Sequence, residues 1–137
     1  MIYQTEIVLP PARRGCHLIT RTIEQHLAGH MPDTGLLNIF VKHTSCGLTI
    51  NENADPDVLI DMSHILDHIV PEREPYYLHT IEGDDDMPAH AKSSLTGTSL
   101  NLPITHRRLN LGTWQGIYLC EYRDHATPRR IVLTVYS

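Results

Sequence analysis

A chain of 137 residues, 41% hydrophobic and 20% charged, is sized and composed for one globular domain spanning residues 1–137 that buries its own core. Its formal net charge of −5, from 11 basic and 16 acidic side chains, argues against a nucleic-acid binder, which would present a basic stripe. Three scattered cysteines fit no disulfide framework, and no stretch approaches the roughly 20 apolar residues that cross a bilayer, so a cytoplasmic protein without a membrane partner is expected.

In chain order, Ile2 to Leu9 reads as a first strand, ended by Pro10 and Pro11. Cys16 to Thr20 reads as a short second strand, and Thr22 to Ala28 as a short helix closed by Gly29. Gly35 to Lys42 is a nearly continuous apolar run, the pattern of a strand buried on both faces. Gly47 to Ile50 is its continuation or its hairpin partner. Asp55 and Pro56 open the clearest helix, as N-cap and first helical residue. Val58, Leu59, Met62, Ile65, Leu66 and Ile69 give that helix a buried face, and Pro71 stops it. From Leu95 onward the pattern is β, with strands near Leu100–Leu102, Leu109–Leu111, Gly116–Tyr122 and Arg130–Tyr136. This order predicts an α+β fold: mostly antiparallel or mixed sheet layers with two or three helices. The pairs Arg13-Arg14, Arg107-Arg108 and Arg129-Arg130 read as solvated loop residues.

Three segments carry candidate chemistry. His43 to Asp55 links a strand end to a helix start, where Thr44 and Ser45 can donate to phosphate and Asn51, Asn53 and Asp55 are polar ligands. The alternative is a plain turn followed by an ordinary cap. His79 to Ser94 gathers His79, Glu82, Asp84, Asp85, Asp86, His90, Lys92 and Ser93. Carboxylates this dense call for a compensating cation. By themselves they also fit a solvated acidic loop, because His79 and His90 are eleven residues apart, outside compact metal-site spacing. Gly112 to Gly116 brackets Trp114 and Gln115, which suit stacking on a flat heterocycle or a simple hairpin turn. His64 and His68 lie four apart on the long helix but off its apolar face, as on a solvated surface.

HTSCGLTINENADPD, then H-x-x-EGDDDMPAHAKSSL-x-G-x-SL-x-LP, then LGTWQGI-x-L-x-E, in this order and spacing, resemble the YjbQ family across nearly the whole chain. The resemblance implies an α+β domain assembled as a homotrimer, with a polar cluster near a subunit interface. It implies a thiamine-phosphate synthase activity, in which a pyrimidine pyrophosphate joins a thiazole phosphate and pyrophosphate leaves. Carried onto this chain, the cluster falls on His43, Thr44, Ser45, Asn51, Asn53, Asp55, His79, Glu82, His90, Trp114 and Gln115.

Residues and resemblance together give a set of expectations. His43, His79 and His90 gather into one pocket and hold a divalent metal, magnesium or zinc, or a phosphate. His79, Glu82, His90 and Lys92 act in catalysis, and Lys92, Ser45 and Ser93 stabilise the charge of the leaving pyrophosphate. Trp114 stacks on the substrate. The alternatives are a metal-dependent phosphohydrolase and a non-catalytic binder of a phosphorylated metabolite.

Overall fold

Antiparallel pairing and two-residue alternation organise the chain. In a computed structural model describing all 137 residues, eight strands and three helices follow in the order β1 (Ile2–Leu9), β2 (Gly15–Leu18), α1 (Thr20–His26), β3 (Thr34–Val41), β4 (Cys46–Glu52), α2 (Asp57–Ile69), α3 (Asp86–Thr96), β5 (Ser99–Thr105), β6 (Arg108–Leu109), β7 (Gln115–Glu121) and β8 (Arg129–Tyr136). One sheet has the order β1-β8-β3-β5-β6, the other β2-β7-β4, and every pairing is antiparallel. The fold is α+β. No helix is long and apolar enough to cross a membrane.

The two sheets and α1 enclose the main core, in which Leu37, Ile39 and Val41 of β3 meet Leu48 of β4, Ile117 and Leu119 of β7, and Ile131 and Leu133 of β8. Strand β7 alternates between two cores. Ile117 and Leu119 face the first, while Tyr118 and Cys120, with Tyr122 just beyond, face Leu59 and Leu66 of α2 and Ala89 of α3. Burial on both faces belongs to β7, not to β3 as its apolar run suggests. Leu36 and Phe40 of β3 remain 40% and 44% exposed, because one face of the larger sheet lacks a covering layer. Strand β4 is neither a continuation of β3 nor its hairpin partner; residues 42–45 carry the chain across to the smaller sheet.

Helix α2 starts where its sequence places it. Asp55 Oδ1 accepts the Asp57 N–H at 2.9 Å, as an N-cap should. Its buried stripe is narrower than its apolar face: Leu59 and Leu66 are buried, but Ile65 and Ile69 are 49% and 61% exposed. Helix α3 replaces the expected acidic loop from Asp86 onward. Its inward residues are Asp86, Pro88, Ala89, Lys92 and Ser93, a helical spacing without an apolar stripe. It ends at Gly97, whose φ of 97° suits glycine.

Two contacts fix α3. A Cβ on Gly47 would meet Thr96 Oγ1 and come within 3.1 Å of the Gly97 carbonyl, so β4 and the end of α3 approach only because position 47 has no side chain. Thr96 Oγ1 cannot simply rotate away, since it also bonds the Lys92 carbonyl and the Tyr122 hydroxyl. On the outer side, Asp67 of α2 accepts Lys92 Nζ of α3 at 2.5 Å and Arg14 Nη2 at 2.6 Å. Burial acts to raise the Asp67 carboxyl, but Lys92 and Arg14 outweigh it and hold it below its ordinary value.

Two outcomes are expected. Gly47→Ala should lose about 1–3 kcal/mol of stability by overpacking, read as a lower urea midpoint. A carboxyl with a lowered folded-state pKa stabilises the fold above the unfolded value of about 3.9 and loses that contribution as pH falls through the folded value. Melting temperatures from pH 7 to pH 2 should therefore show Asp67→Asn below wild type at neutral pH, with the gap closing in acid.

Candidate functional site

The site forms where the segment between α2 and α3 meets the first turns of α3. Asp86 is the first residue of α3 and is only 2% exposed. His90 lies one turn later, on the same helix face. His79 arrives from the preceding segment. Its Nε2 is 2.5 Å from Asp86 Oδ2, and His90 Nε2 is 3.1 Å from the same oxygen. The imidazole rings meet edge-on with centroids 5.3 Å apart. Three ligand atoms, one from each of His79, Asp86 and His90, lie within 4.8 Å of one another.

The other nitrogen of His90, Nδ1, is 2.8 Å from the Thr44 carbonyl. A carbonyl only accepts, so Nδ1 carries the hydrogen, and in neutral His90 the Nε2 lone pair faces the cluster. A lone pair directed at a carboxylate is repulsive. Either a proton or a cation between the three groups relieves it.

Arg123, just beyond β7, holds the acidic groups in place. Its Nη1 is 2.6 Å from Asp86 Oδ1, and its Nε donates to Asp85 Oδ2 at 2.8 Å. Its Nη2 donates to the Glu82 carbonyl at 2.9 Å. The Asp124 N–H adds a bond to Asp85. Burial pushes the Asp86 carboxyl up, but the His79 bond, the Arg123 charge and His90 outweigh it, so Asp86 stays below the usual carboxylate range. Asp85 is held low likewise, by the Asp124 N–H and Arg123 against burial. Arg73 pairs with Asp84 at 3.3 Å. The compensating charge for the acidic run is thus arginine, which sequence spacing offered no means of pairing with it.

His43, Thr44 and Ser45 border the cluster. His43 Nε2 accepts the Arg130 N–H at 2.8 Å, so that nitrogen is taken and Nδ1–H is the free face of the neutral ring. Burial and then Arg129 hold the His43 pKa below its ordinary value. The structure brings His43 beside His90 but not into the three-atom group. Both line a shallow depression with Thr44, Ser93, Ser94 and Thr98, without an apolar lining residue. Ser45 Oγ accepts Arg129 Nη2 at 3.0 Å, and Arg129 forks onto Glu121 at 2.7 and 2.5 Å. Glu121 and Arg129 are 0% and 4% exposed, so Arg129 is a buried anchor and not a solvated loop residue.

The remaining expected site residues lie elsewhere. Lys92 points to the opposite side of α3, paired with Asp67 and 5.8 Å from the Tyr122 ring centroid, so it does not face His79 or His90. The Glu82 side chain is exposed, and its carbonyl serves Arg123. Asn51, Asn53, Trp114 and Gln115 cluster at the other end of the β4–β7 pair, where Asn53 Nδ2 donates to the Gln115 carbonyl and Asn51 Oδ1 accepts the Glu52 N–H. Glu52 pairs with Gln115 and Cys46 with Glu121, so six residues, roughly 20 Å, separate the two ends. Asp55 caps α2. Within one chain the expected single pocket is therefore two separate sites. His64 and His68 sit exposed on α2, outside any metal-capable group. Arg123, Asp86 and the Glu121–Arg129 pair are the site residues that sequence reasoning missed or left without a role. For Glu121, a carboxylate at an inward position of an alternating strand was the available signal.

Comparison with known proteins agrees with this architecture. The profile of the family described as UPF0047 protein YjbQ-like matches residues 5–137. The UPF0047 protein YjbQ of Salmonella typhimurium is 50% identical over 136 residues, 98% of each chain. UPF0047 protein sll1880 of Synechocystis is 42% identical over 97% of this chain and 90% of its own. The crystal structure of a conserved hypothetical protein from Thermus thermophilus superposes with a TM-score of 0.82 at 40% identity, covering 94% of this chain and 97% of that one. An uncharacterised YjbQ/UPF0047 protein from Clostridium acetobutylicum gives a TM-score of 0.86 at 35% identity over 96% and 99%. With nearly its whole length matched in sequence and in fold, the chain belongs to the YjbQ-like UPF0047 family.

Proposed function

We propose that this protein is a small cytoplasmic enzyme that uses a divalent metal at His79, Asp86 and His90 to act on a phosphorylated substrate, in a transfer of the thiamine-phosphate synthase type. The observation that carries the reading is the convergence of three ligand atoms within 4.8 Å, on side chains of which two reach solvent. The donors fit a metal. Two imidazole nitrogens and one carboxylate oxygen suit zinc better than magnesium, which prefers oxygen alone. Three protein ligands with an open side are the arrangement of a catalytic site. Asp86 and His90 are each oriented by an outer partner, Arg123 and the Thr44 carbonyl, as metal ligands commonly are.

A metal bound there supplies Lewis-acid charge to a phosphate oxygen. The chain's own groups would do the rest. His43 Nδ1–H and the hydroxyls of Ser93, Ser94 and Thr98 line the adjacent depression and suit the outer oxygens of a phosphate or pyrophosphate. His79, the most exposed of the three ligands, leaves the side of the site from which a substrate would reach the metal open to solvent. Lys92 has no part, because it serves Asp67. The reading includes a homotrimer, in which Trp114 and Gln115 of a neighbouring copy complete the site. Trp114 is 63% exposed, and Leu78 and Ile81, on either side of His79, are each 97% exposed. The unpaired cysteines suit a reducing, cytoplasmic setting. A phosphohydrolase is the second reading, favoured by the distance of Trp114 from the cluster within one chain.

Titration calorimetry should find one zinc ion per chain, with affinity lowered about tenfold or more by His79→Ala, His90→Ala or Asp86→Asn. Incubation with the pyrimidine pyrophosphate and thiazole phosphate should yield thiamine phosphate and pyrophosphate, and the His79→Ala/His90→Ala variant should yield none. Unchanged zinc affinity in all three single variants would remove the metal site. Hydrolysis of phosphomonoesters without any coupled product would select the second reading.

A further inference from the structure

A pair of thiols occupies one rung of the β2–β7 ladder, away from the His79 cluster. Cys16 stands directly opposite Cys120, and their sulfur atoms are 3.0 Å apart. The type of rung follows from the next bond along the register. The Ile19 N–H donates to the carbonyl of Ile117, its opposite residue, at 2.8 Å. Hydrogen-bonded and non-hydrogen-bonded rungs alternate in an antiparallel pair, so the rung three residues back, Cys16 with Cys120, is non-hydrogen-bonded. Opposite Cα atoms on such rungs are about 4.5 Å apart, inside the roughly 4.4–6.8 Å that a disulfide spans.

The two thiols are unequal. Cys120 is 1% exposed beneath α2 and α3. Cys16 is half-buried and lines a cleft of about 590 Å³ between β2 and α2, with Arg13, Arg14, Ser63 and His64 also on its wall. An oxidant therefore meets Cys16 first. The hydrogen bond to Cys120, against burial and with help from Ser63, lowers the Cys16 pKa, and the same bond raises that of Cys120. Cys46 belongs to the other face of the smaller sheet, packed in the main core, and burial pushes its thiol up to about 11.

We propose that Cys16 is a peroxide-reactive thiol that Cys120 resolves into a cross-strand disulfide. The Cys16 thiolate attacks one oxygen of hydrogen peroxide; a sulfur–oxygen bond forms, the oxygen–oxygen bond breaks, and hydroxide leaves and takes up a proton as water. Cys120 sulfur then attacks Cys16 sulfur. The sulfur–sulfur bond forms, the sulfur–oxygen bond breaks, and the hydroxyl leaves with the Cys120 proton as a second water. Two thiols lose two electrons and one peroxide is reduced to two waters. The product ties β2, the edge strand of the smaller sheet, to its centre, and a small dithiol reverses it by exchange.

The test is hydrogen peroxide treatment of the intact protein, followed by thiol counting after denaturation and by peptide mapping. The free thiols should fall from three to one, with the intact mass lower by two hydrogens, a Cys16–Cys120 peptide pair, and full reversal by dithiothreitol. In Cys120→Ser, Cys16 should accumulate as a sulfenic acid that dimedone traps. Three surviving thiols, a disulfide involving Cys46, or crosslinked chains would each overturn the proposal. Because mapping uses the wild-type protein, the result stands even if Cys120→Ser does not fold.

Discussion

A buried carboxylate sets the constraint on which the site depends. Asp86 is 2% exposed, and a carboxylate without partners at that depth costs several kcal/mol. One of its oxygens is met by Arg123 and the other by His79 and His90. Satisfying it requires three stretches of chain to meet: the segment before α3, the first turns of α3, and the end of β7. The position of α3 follows from its buried charges more than from an apolar stripe. Asp86 is paired at its start, Lys92 is paired with Asp67 farther along, and Gly47 lets its end settle on β4.

The end of β7 is the common support. Alternation sends Cys120 and Tyr122 toward the helices and turns Glu121 to the opposite face, where Arg129 meets it. Arg129 reaches Ser45, and the neighbouring Arg130 N–H reaches His43. Two residues past Glu121, Arg123 holds Asp85 and Asp86. Glu121 and Arg123 thus connect the His43 segment and the His79–His90 cluster to one rigid strand. Each connection is an arginine fork, whose planar geometry fixes direction as well as distance.

Much of the frame was legible in the sequence. Asp55-Pro56 marks the start of α2, Pro10-Pro11 the end of β1, and the later β-patterned runs separated by turn residues mark β5, β7 and β8. The family and its fold class were legible from three motifs in register. Helix α3 was not, because its inward positions carry Asp86, Pro88, Lys92 and Ser93, which leave no hydrophobic period. That gap hid the cluster as well: a separation of eleven positions from His79 to His90 means nothing until Asp86 is placed one helical turn before His90. The same helix sends Lys92 to the opposite side. The division of the expected pocket follows from strand direction, since antiparallel β4 and β7 place the His43 segment and Trp114 at opposite ends.

Whether His79, Asp86 and His90 converge to hold a metal can be read from an anomalous difference map at the zinc edge, recorded on crystals grown with zinc. A metal centre there predicts one strong peak per chain bonded to the Nε2 atoms of His79 and His90 and to Asp86 Oδ2, at about 2.0–2.2 Å from each. Zinc bound only at other sites, with the Nε2 atoms of both imidazoles still packed directly against Asp86 Oδ2, would contradict it.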